Sequence, residues 1–365
     1  MANVEVDLPG RSYSIRIGRG LIQAGEDGMG DYLSNGSRVM VIADRNTSTS
    51  CYPLLERRLQ QFGVSPVIFI LEGSERDKAI DTLSRCYEAM ARSVFDRDSF
   101  VLALGGGVIG DLAGFVAATY MRGIRLIQVP TTLLAMVDSS IGGKNGINFP
   151  WGKNVVGTFY QPSLVLSDLV FLDSLPEESY RDGMAEVIKY GVLEGGDLLS
   201  RLRDAQVEIR NRDPLILTEI VTRCSEVKAG IVEADELEHG LRARLNFGHT
   251  IGHALEAAGS FARYSHGQAL AIGMRGAFLL SLRLGLIGRD ELEQIERLLE
   301  VYGLPTAWDL KGVGPADLWN YMERDKKARG GRLVFILTKG FGTVIIRNVQ
   351  KEKGLILKVL DELRG

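Results

Sequence analysis

Apolar residues fall along this chain in two rhythms, and the change comes at Leu175-Pro176. Before it, short apolar runs alternate with longer amphipathic ones. Val39-Met40-Val41-Ile42-Ala43, Val67-Ile68-Phe69-Ile70-Leu71, Phe100-Val101-Leu102-Ala103-Leu104, Leu126-Ile127-Gln128-Val129 and Leu164-Val165-Leu166-Ser167-Asp168 read as buried strands. Helical spacing lies between them, near 51–62, 76–92 and 108–121. Strand–helix alternation predicts an α/β domain over 1–175, with a parallel sheet flanked by helices. Beyond Pro176 the spacing is mostly helical, with starts near 177, 197, 213, 246, 266, 289 and 315. A small hairpin is expected from 333–337 and 344–346, around Gly340 and Gly342. A second, mainly α-helical domain is therefore predicted over 176–365.

Composition narrows the class. The 365 residues are 45% hydrophobic and 24% charged, and 43 Gly beside 10 Pro suggest tight turns and close backbone approaches rather than disorder. A net charge of −3 argues against a nucleic-acid binder or a polybasic membrane binder. Cys51, Cys86 and Cys224 show no Cys-x-x-Cys spacing and read as reduced thiols of a cytoplasmic protein. The alternating Val4-Glu5-Val6-Asp7-Leu8 does not resemble a signal peptide, and no apolar run approaches the ~18 residues of a membrane span.

Three patterns suggest chemistry. Gly105-Gly106-Gly107-Val108-Ile109-Gly110-Asp111 leaves a strand and enters a helix, and its glycines fit G-x-G-x-x-G, a loop that lets a pyrophosphate approach a helix N-terminus. A glycine-rich structural turn reads the same way, and the acidic residue expected about 20 residues later is missing, since Pro130 stands there. Asp44 ends an earlier strand instead, so a bound dinucleotide implies a strand order unlike that of an ordinary Rossmann domain. Lys144 and Lys153 stand in glycine-rich loops and could grip phosphates as point charges. His249 and His253, four apart, project from one helix face, and His266 opens the next helix. The pair suits a metal site or two ordinary histidines of an amphipathic helix. Glu186, among Met184, Ala185, Val187 and Ile188, is a candidate third ligand.

Segments 105–111, 138–144, 152–154, 182–190, 245–253 and 266–274 together resemble the 3-dehydroquinate synthases of the shikimate pathway, which leads to chorismate and the aromatic amino acids. The match runs through nearly the whole chain in the family's order. It implies an NAD-binding α/β domain, a helical C-terminal domain and a site in the cleft between. The resemblance implies a zinc or cobalt site of Glu186, His249 and His266, and moves His253 to the substrate. It implies that NAD is lined by Asp44, Glu75, Lys78, Gly105, Gly106, Gly107, Val108, Ile109, Gly110, Asp111, Thr131, Thr132, Lys144, Lys153, Phe171, Leu172, Asp173 and Ser174. Around the substrate it implies Asp138, Lys144, Asn154, Lys189, Lys228, Arg242, Asn246, His253 and Lys326, with Arg122 reaching in from the second subunit of a homodimer. Lys144, Lys189, Glu238, Asn246 and His253 are the expected catalytic set.

The family's reaction converts 3-deoxy-D-arabino-heptulosonate 7-phosphate, a small sugar-phosphate acid, to 3-dehydroquinate and phosphate. NAD oxidises C5 transiently, phosphate leaves by β-elimination, C5 is reduced again, the ring opens and an aldol closes the carbocycle. Two positions depart from the family pattern. Gln268 replaces the usual Glu after His266-Gly267, suggesting an altered contact to the site, and Asn145 follows Lys144 where Thr is common. The rival readings are another sugar-phosphate cyclase, a metal-dependent alcohol dehydrogenase, and a dinucleotide-binding regulatory protein with a structural metal.

Overall fold

Continuous apolar runs need cover on both faces, and the chain builds a seven-stranded sheet from them. The structure, a computed structural model, describes residues 1–149, 152–328 and 333–365, the side chains of 325–328 and 350 excepted. The strands are β1 (Ala2–Val6), β2 (Tyr13–Gly18), β3 (Val39–Asp44), β4 (Val67–Leu71), β5 (Phe100–Gly105), β6 (Arg125–Pro130), β7 (Lys144–Phe149), β8 (Gly152–Phe159) and β9 (Leu164–Asp168). The sheet order is β1-β2-β9-β6-β5-β3-β4. Every neighbouring pair in it is parallel except β1 with β2. The strands expected from apolar runs all form, and the α/β architecture is the one expected.

The chain divides into two compact units, one of residues 1–180 and 212–237, the other of 181–211 and 238–365. In the first, the Ile80–Arg92 and Gly107–Thr119 helices pack Leu83, Cys86, Met90, Ile109, Leu112 and Val116 against Met40, Ile42, Val101, Ala103 and Leu126 of the sheet. The Pro214–Ala234 helix packs on β1 and β2 of the same unit. The second unit is mainly helical and carries the expected hairpin, β10 (Val334–Thr338) with β11 (Val344–Asn348). Its core gathers Leu255, Ile272, Leu279, Trp308, Trp319, Phe335 and Leu360. The buried Trp308 indole N–H donates to the Leu360 carbonyl at 3.0 Å, which spares the core an unpaired donor.

One expectation is corrected. The segments of Lys144 and Lys153 are not loops but the strands of an antiparallel hairpin, β7 with β8, with Gly146 opposite Gly157. A Cβ on Gly157 would lie 2.2 Å from the Asn145 carbonyl oxygen, so these glycines permit close backbone approach within a strand pair. Asn145, one of the two departures, is buried here. Its side-chain amide donates to the carbonyls of Gly143 (2.8 Å) and Tyr160 (2.9 Å) and braces the hairpin.

Candidate active site

Two groups of side chains carry the candidate chemistry, one in each unit. In the sheet unit, β3 and β5 are neighbours, but the chain leaves β3 towards β4 on one side and β5 towards β6 on the other. Such a switch point opens a crevice at the strands' carboxyl ends. Asp44 ends β3 and Gly105 ends β5, with Ala43 paired to Leu104. The acidic strand end missing after the glycine loop is thus supplied by the adjacent strand. The Gly107–Thr119 helix begins at Gly106 with no side chain capping its N-terminus. A Cβ on Gly106 would reach within 3.2 Å of Thr132, and one on Gly107 within 3.0 Å of Ser139. The bare backbone and open helix end fit a pyrophosphate. Thr131 N–H donates to the Gly105 carbonyl at 3.0 Å, holding the end of β6 beside the loop.

Next to the loop lies a charged network. The buried Lys78 ammonium donates to Asp111 Oδ2 at 2.7 Å and to Asn154 Oδ1. Lys153 Nζ lies 3.3 Å from Glu75 Oε1. Burial pushes the Asp111 carboxyl up, against the pull of Lys78. For Glu75 burial is outweighed: Lys78, Lys153 and Asn148 hold it below its ordinary value. Asn148 was not singled out in the sequence, yet it ties the network together. It donates to Glu75 Oε2 at 2.8 Å and accepts the Asn154 N–H at 2.9 Å. Its only signal is an amide inside a strand that also carries Lys144. Of the segment after β9, Phe171 and Leu172 are buried, while Asp173 is exposed and pairs with Arg19 at 2.6 and 2.8 Å. The buried Lys228 ammonium donates to the Asp138 carbonyl (2.6 Å) and to Asp138 Oδ1 (2.8 Å). Arg122 is exposed on a turn at φ 69°.

In the helical unit, three helices bring Glu186, His249 and His266 together. Their candidate ligand atoms all lie within 4.8 Å of one another. Glu186 Oε1 is 3.5 Å from His249 Nε2 and 3.2 Å from His266 Nε2. The Glu177–Glu194 helix carries Glu186 into the interior, where it is 1% exposed. The His249–Ala258 and His266–Arg283 helices cross closely, because a Cβ on Gly273 would lie 2.0 Å from the Gly248 carbonyl oxygen. Asp182, one turn before Glu186, grips the start of the His266 helix, accepting the Gly267 N–H at 2.6 Å and the Ser265 hydroxyl. The His249 Nδ1 faces the Phe247 carbonyl oxygen at 3.1 Å, and the His266 Nδ1 faces Glu256 Oε1 at 3.6 Å. Both Nε2 atoms are thereby turned towards Glu186. A buried carboxylate with two imidazoles fits a divalent metal of the zinc or cobalt kind.

Electrostatics agree with that fit. Burial alone would raise the Glu186 carboxyl, but Lys189, His249 and His266 hold it well below the usual carboxylate range. Burial alone would lower the His266 imidazole, but Glu186 and Glu256 carry it up to about 10. The buried Lys189 ammonium pairs with Glu186 Oε2 one turn back. The His253 ring lies edge-on to His249 with centroids 5.3 Å apart, outside the cluster of three. Arg242 is 1% exposed, and Asn246 Nδ2 donates to Glu238 Oε1 at 3.1 Å. The side chain of Lys326 lies outside the described residues. Gln268 closes a capping box with Ser265, its Oε1 accepting the Ser265 N–H at 3.2 Å. It therefore faces its own helix end, and Glu and Gln serve that end alike. Glu256 and Asp182 carried no sequence assignment. Their signals were spacing, seven after His249 and four before Glu186.

A dinucleotide-type crevice in one unit and a buried Glu-His-His cluster in the other suit the class of enzymes that pair a dinucleotide with a divalent metal. The structure is similar to 2-epi-5-epi-valiolone synthase from Streptomyces hygroscopicus with NAD+ and Zn2+ bound, at TM-score 0.87 and 27% identity over 98% of each chain. It is similar at TM-score 0.87 and 25% identity to 2-deoxy-scyllo-inosose synthase complexed with carbaglucose-6-phosphate, NAD+ and Co2+, over 99% of each. Glycerol dehydrogenase from Schizosaccharomyces pombe shares the fold at TM-score 0.65 and 17% identity, over 95% of this chain and 88% of that one. The 3-dehydroquinate synthase N-terminal family matches residues 68–182, and its C-terminal counterpart matches 183–328. The 3-dehydroquinate synthase of Desulforamulus reducens is 42% identical over 99% of this chain and 100% of its own. That of Acidithiobacillus ferrooxidans is 45% identical over 95% and 94%. The chain belongs to the 3-dehydroquinate synthase family.

Proposed function

We propose that this chain converts 3-deoxy-D-arabino-heptulosonate 7-phosphate to 3-dehydroquinate and phosphate, as a carbon–oxygen lyase dependent on NAD and a divalent metal. The observation that carries the reading is the convergence of Glu186, His249 and His266, in a chain alike from end to end to 3-dehydroquinate synthases. When bound, NAD would supply a reversible oxidation at C5, and the metal a Lewis acid for the substrate's hydroxyl oxygens.

Within this reading, residues 1–175 serve NAD and residues 176–365 the metal. Glu186, His249 and His266 hold the metal. Asp44, the 105–111 loop, Thr131, Thr132 and the Lys78 network hold the cofactor. The buried Arg242 offers a planar fork that suits a carboxylate, and Lys228, steadied by Asp138, offers a point charge. Lys189, fixed against Glu186, and Asn246, fixed by Glu238, orient polar groups where charge develops. His253, whose ring lies against that of His249, moves a proton at a substrate oxygen. Arg122 serves a second copy of the chain in a homodimer.

The test is to mix the protein with the heptulosonate phosphate, Zn2+ or Co2+ and trace NAD, then assay phosphate and the cyclic product. Both should appear in equal amounts. Phosphate without a carbocycle, or no phosphate at all, would overturn the reading. Greater identity to the 3-dehydroquinate synthases (42–45%) than to the other cyclases (25–27%) favours this substrate over a carboxylate-free sugar phosphate.

A further inference from the structure

The two histidines of the metal cluster are held from behind by different chemistry. The His249 Nδ1 meets a backbone carbonyl, that of Phe247, at 3.1 Å. The His266 Nδ1 lies 3.6 Å from a carboxylate oxygen, Oε1 of Glu256, within ion-pair range. Glu256 sits two turns after His249 on the same helix face and is 6% exposed, between the buried Leu255 and the apolar Ala257. The backbone around His266 is gripped by Asp182 and by the Ser265 cap, but those contacts leave the ring free to turn about its own bonds.

We propose that Glu256 is a positioning residue for the metal centre: its carboxylate takes the Nδ1–H of His266 and presents Nε2 of that ring as the stronger of the two imidazole donors. The inference rests on the reading of Glu186, His249 and His266 as a metal site. A ligating imidazole binds through one nitrogen and keeps its proton on the other. The partner of that proton sets the tautomer and the ring plane, and an anionic partner makes the ligand more basic than a carbonyl does. The geometry also cross-braces the site. The helix that supplies His249 supplies the partner of His266, and the helix that supplies Glu186 supplies Asp182, the grip on the His266 backbone.

The readout is metal affinity rather than turnover. Zn2+ dissociation constants of the full chain are measured by chelator competition for the native protein, Glu256→Gln and Glu256→Leu. Thermal unfolding of each metal-free form is measured alongside. Removing the outer partner of a ligating histidine costs about 10- to 100-fold in affinity, so Glu256→Leu should weaken Zn2+ binding by about that factor. Glu256→Gln keeps an acceptor and loses the charge, so its loss should be smaller. In the Co2+-loaded protein each ligating imidazole gives one exchangeable, paramagnetically shifted N–H proton. Glu256→Gln should move one of the two and leave the other in place.

Affinity and spectrum unchanged in both variants would overturn the proposal. So would a Gln variant whose affinity falls only together with its metal-free melting temperature, the mark of a structural role. If the Leu variant does not fold, the Gln variant decides by the same two readouts. Native protein whose Zn2+ affinity ignores His266→Ala would overturn the metal-site reading and this proposal with it. That result is distinct from native binding that needs His266 and ignores Glu256.

Discussion

His249 and His253 look alike on a helical projection, and what separates them is the neighbour each ring meets. His249 points its Nε2 at Glu186, whereas His253 stands edge-on to His249. His249→Ala should lose metal by more than the 10- to 100-fold that follows loss of an outer partner. His253→Ala should keep most of its metal and lose turnover. Metal content after gel filtration, read beside rate, checks the order, and the reverse order would exchange the two roles. The charge cluster also makes a statement about pH. The His266 imidazole is raised from 6.5 to about 10 in the folded metal-free protein, so the folded state binds the proton more tightly than the unfolded chain. Its stabilisation is complete below pH 6.5 and is lost as pH rises through about 10. The difference in denaturant midpoint between metal-free native protein and His266→Asn should therefore shrink over that window. A difference that grows with pH would refute the assignment. Arg242→Ala should lower kcat/KM for the carboxylated substrate by roughly 30-fold to several thousand-fold, from about 2–5 kcal/mol for a lost charge partner. A heptulose 7-phosphate without the carboxylate should be turned over poorly and be insensitive to the change. Equal losses on both substrates would mean that Arg242 supports the fold.

At the level of elements, the crossing of the His249 and His266 helices sets the spacing of the two imidazoles. The contact is backbone on backbone at Gly248 and Gly273. Gly273→Ala forces the helices apart, and overpacking of this kind costs typically 1–3 kcal/mol. The melting temperature and the Zn2+ affinity should fall together, as measured by thermal unfolding and chelator competition. A melting temperature that falls with affinity intact would show that the ligand geometry does not depend on this contact. The β7–β8 hairpin shows why strands can hide in a sequence. Its glycines, Gly146 and Gly157, imitate a loop by composition, yet they are there because two backbones meet. The capping box of Ser265 and Gln268 shows the converse: a polar side chain that suggested a contact to the site serves its own helix end, a cap that Glu or Gln can fill.

For the whole molecule, the prediction concerns NAD bookkeeping. A redox-neutral cyclisation regenerates its cofactor, so trace NAD should support many turnovers, and absorbance from NADH should not grow with product. One NADH per product would instead mark a dehydrogenase, an activity found on the same fold in glycerol dehydrogenase.

The sequence by itself determined the α/β unit, the helical C-terminal half and the late hairpin, because apolar periodicity reports burial directly. It also supplied the glycine loop and the histidines. Glu186 stood out as a candidate through its apolar neighbours, but only the family's order of motifs raised it above a solvated charge, since a lone carboxylate on a helix has much the same local pattern whether it meets water or metal. The tertiary structure alone decided what depends on which element lies beside which. Asp44 ends β3 beside β5, the strand that leads into the glycine loop, through sheet order, and the Pro214–Ala234 helix packs on β1 and β2, a choice its apolar stripe does not name. Asn148, Asp182 and Glu256 acquire their partners 73, 85 and 10 residues away in the chain. Local periodicity carries no information about contacts at such separations, because they are set by the packing of whole elements.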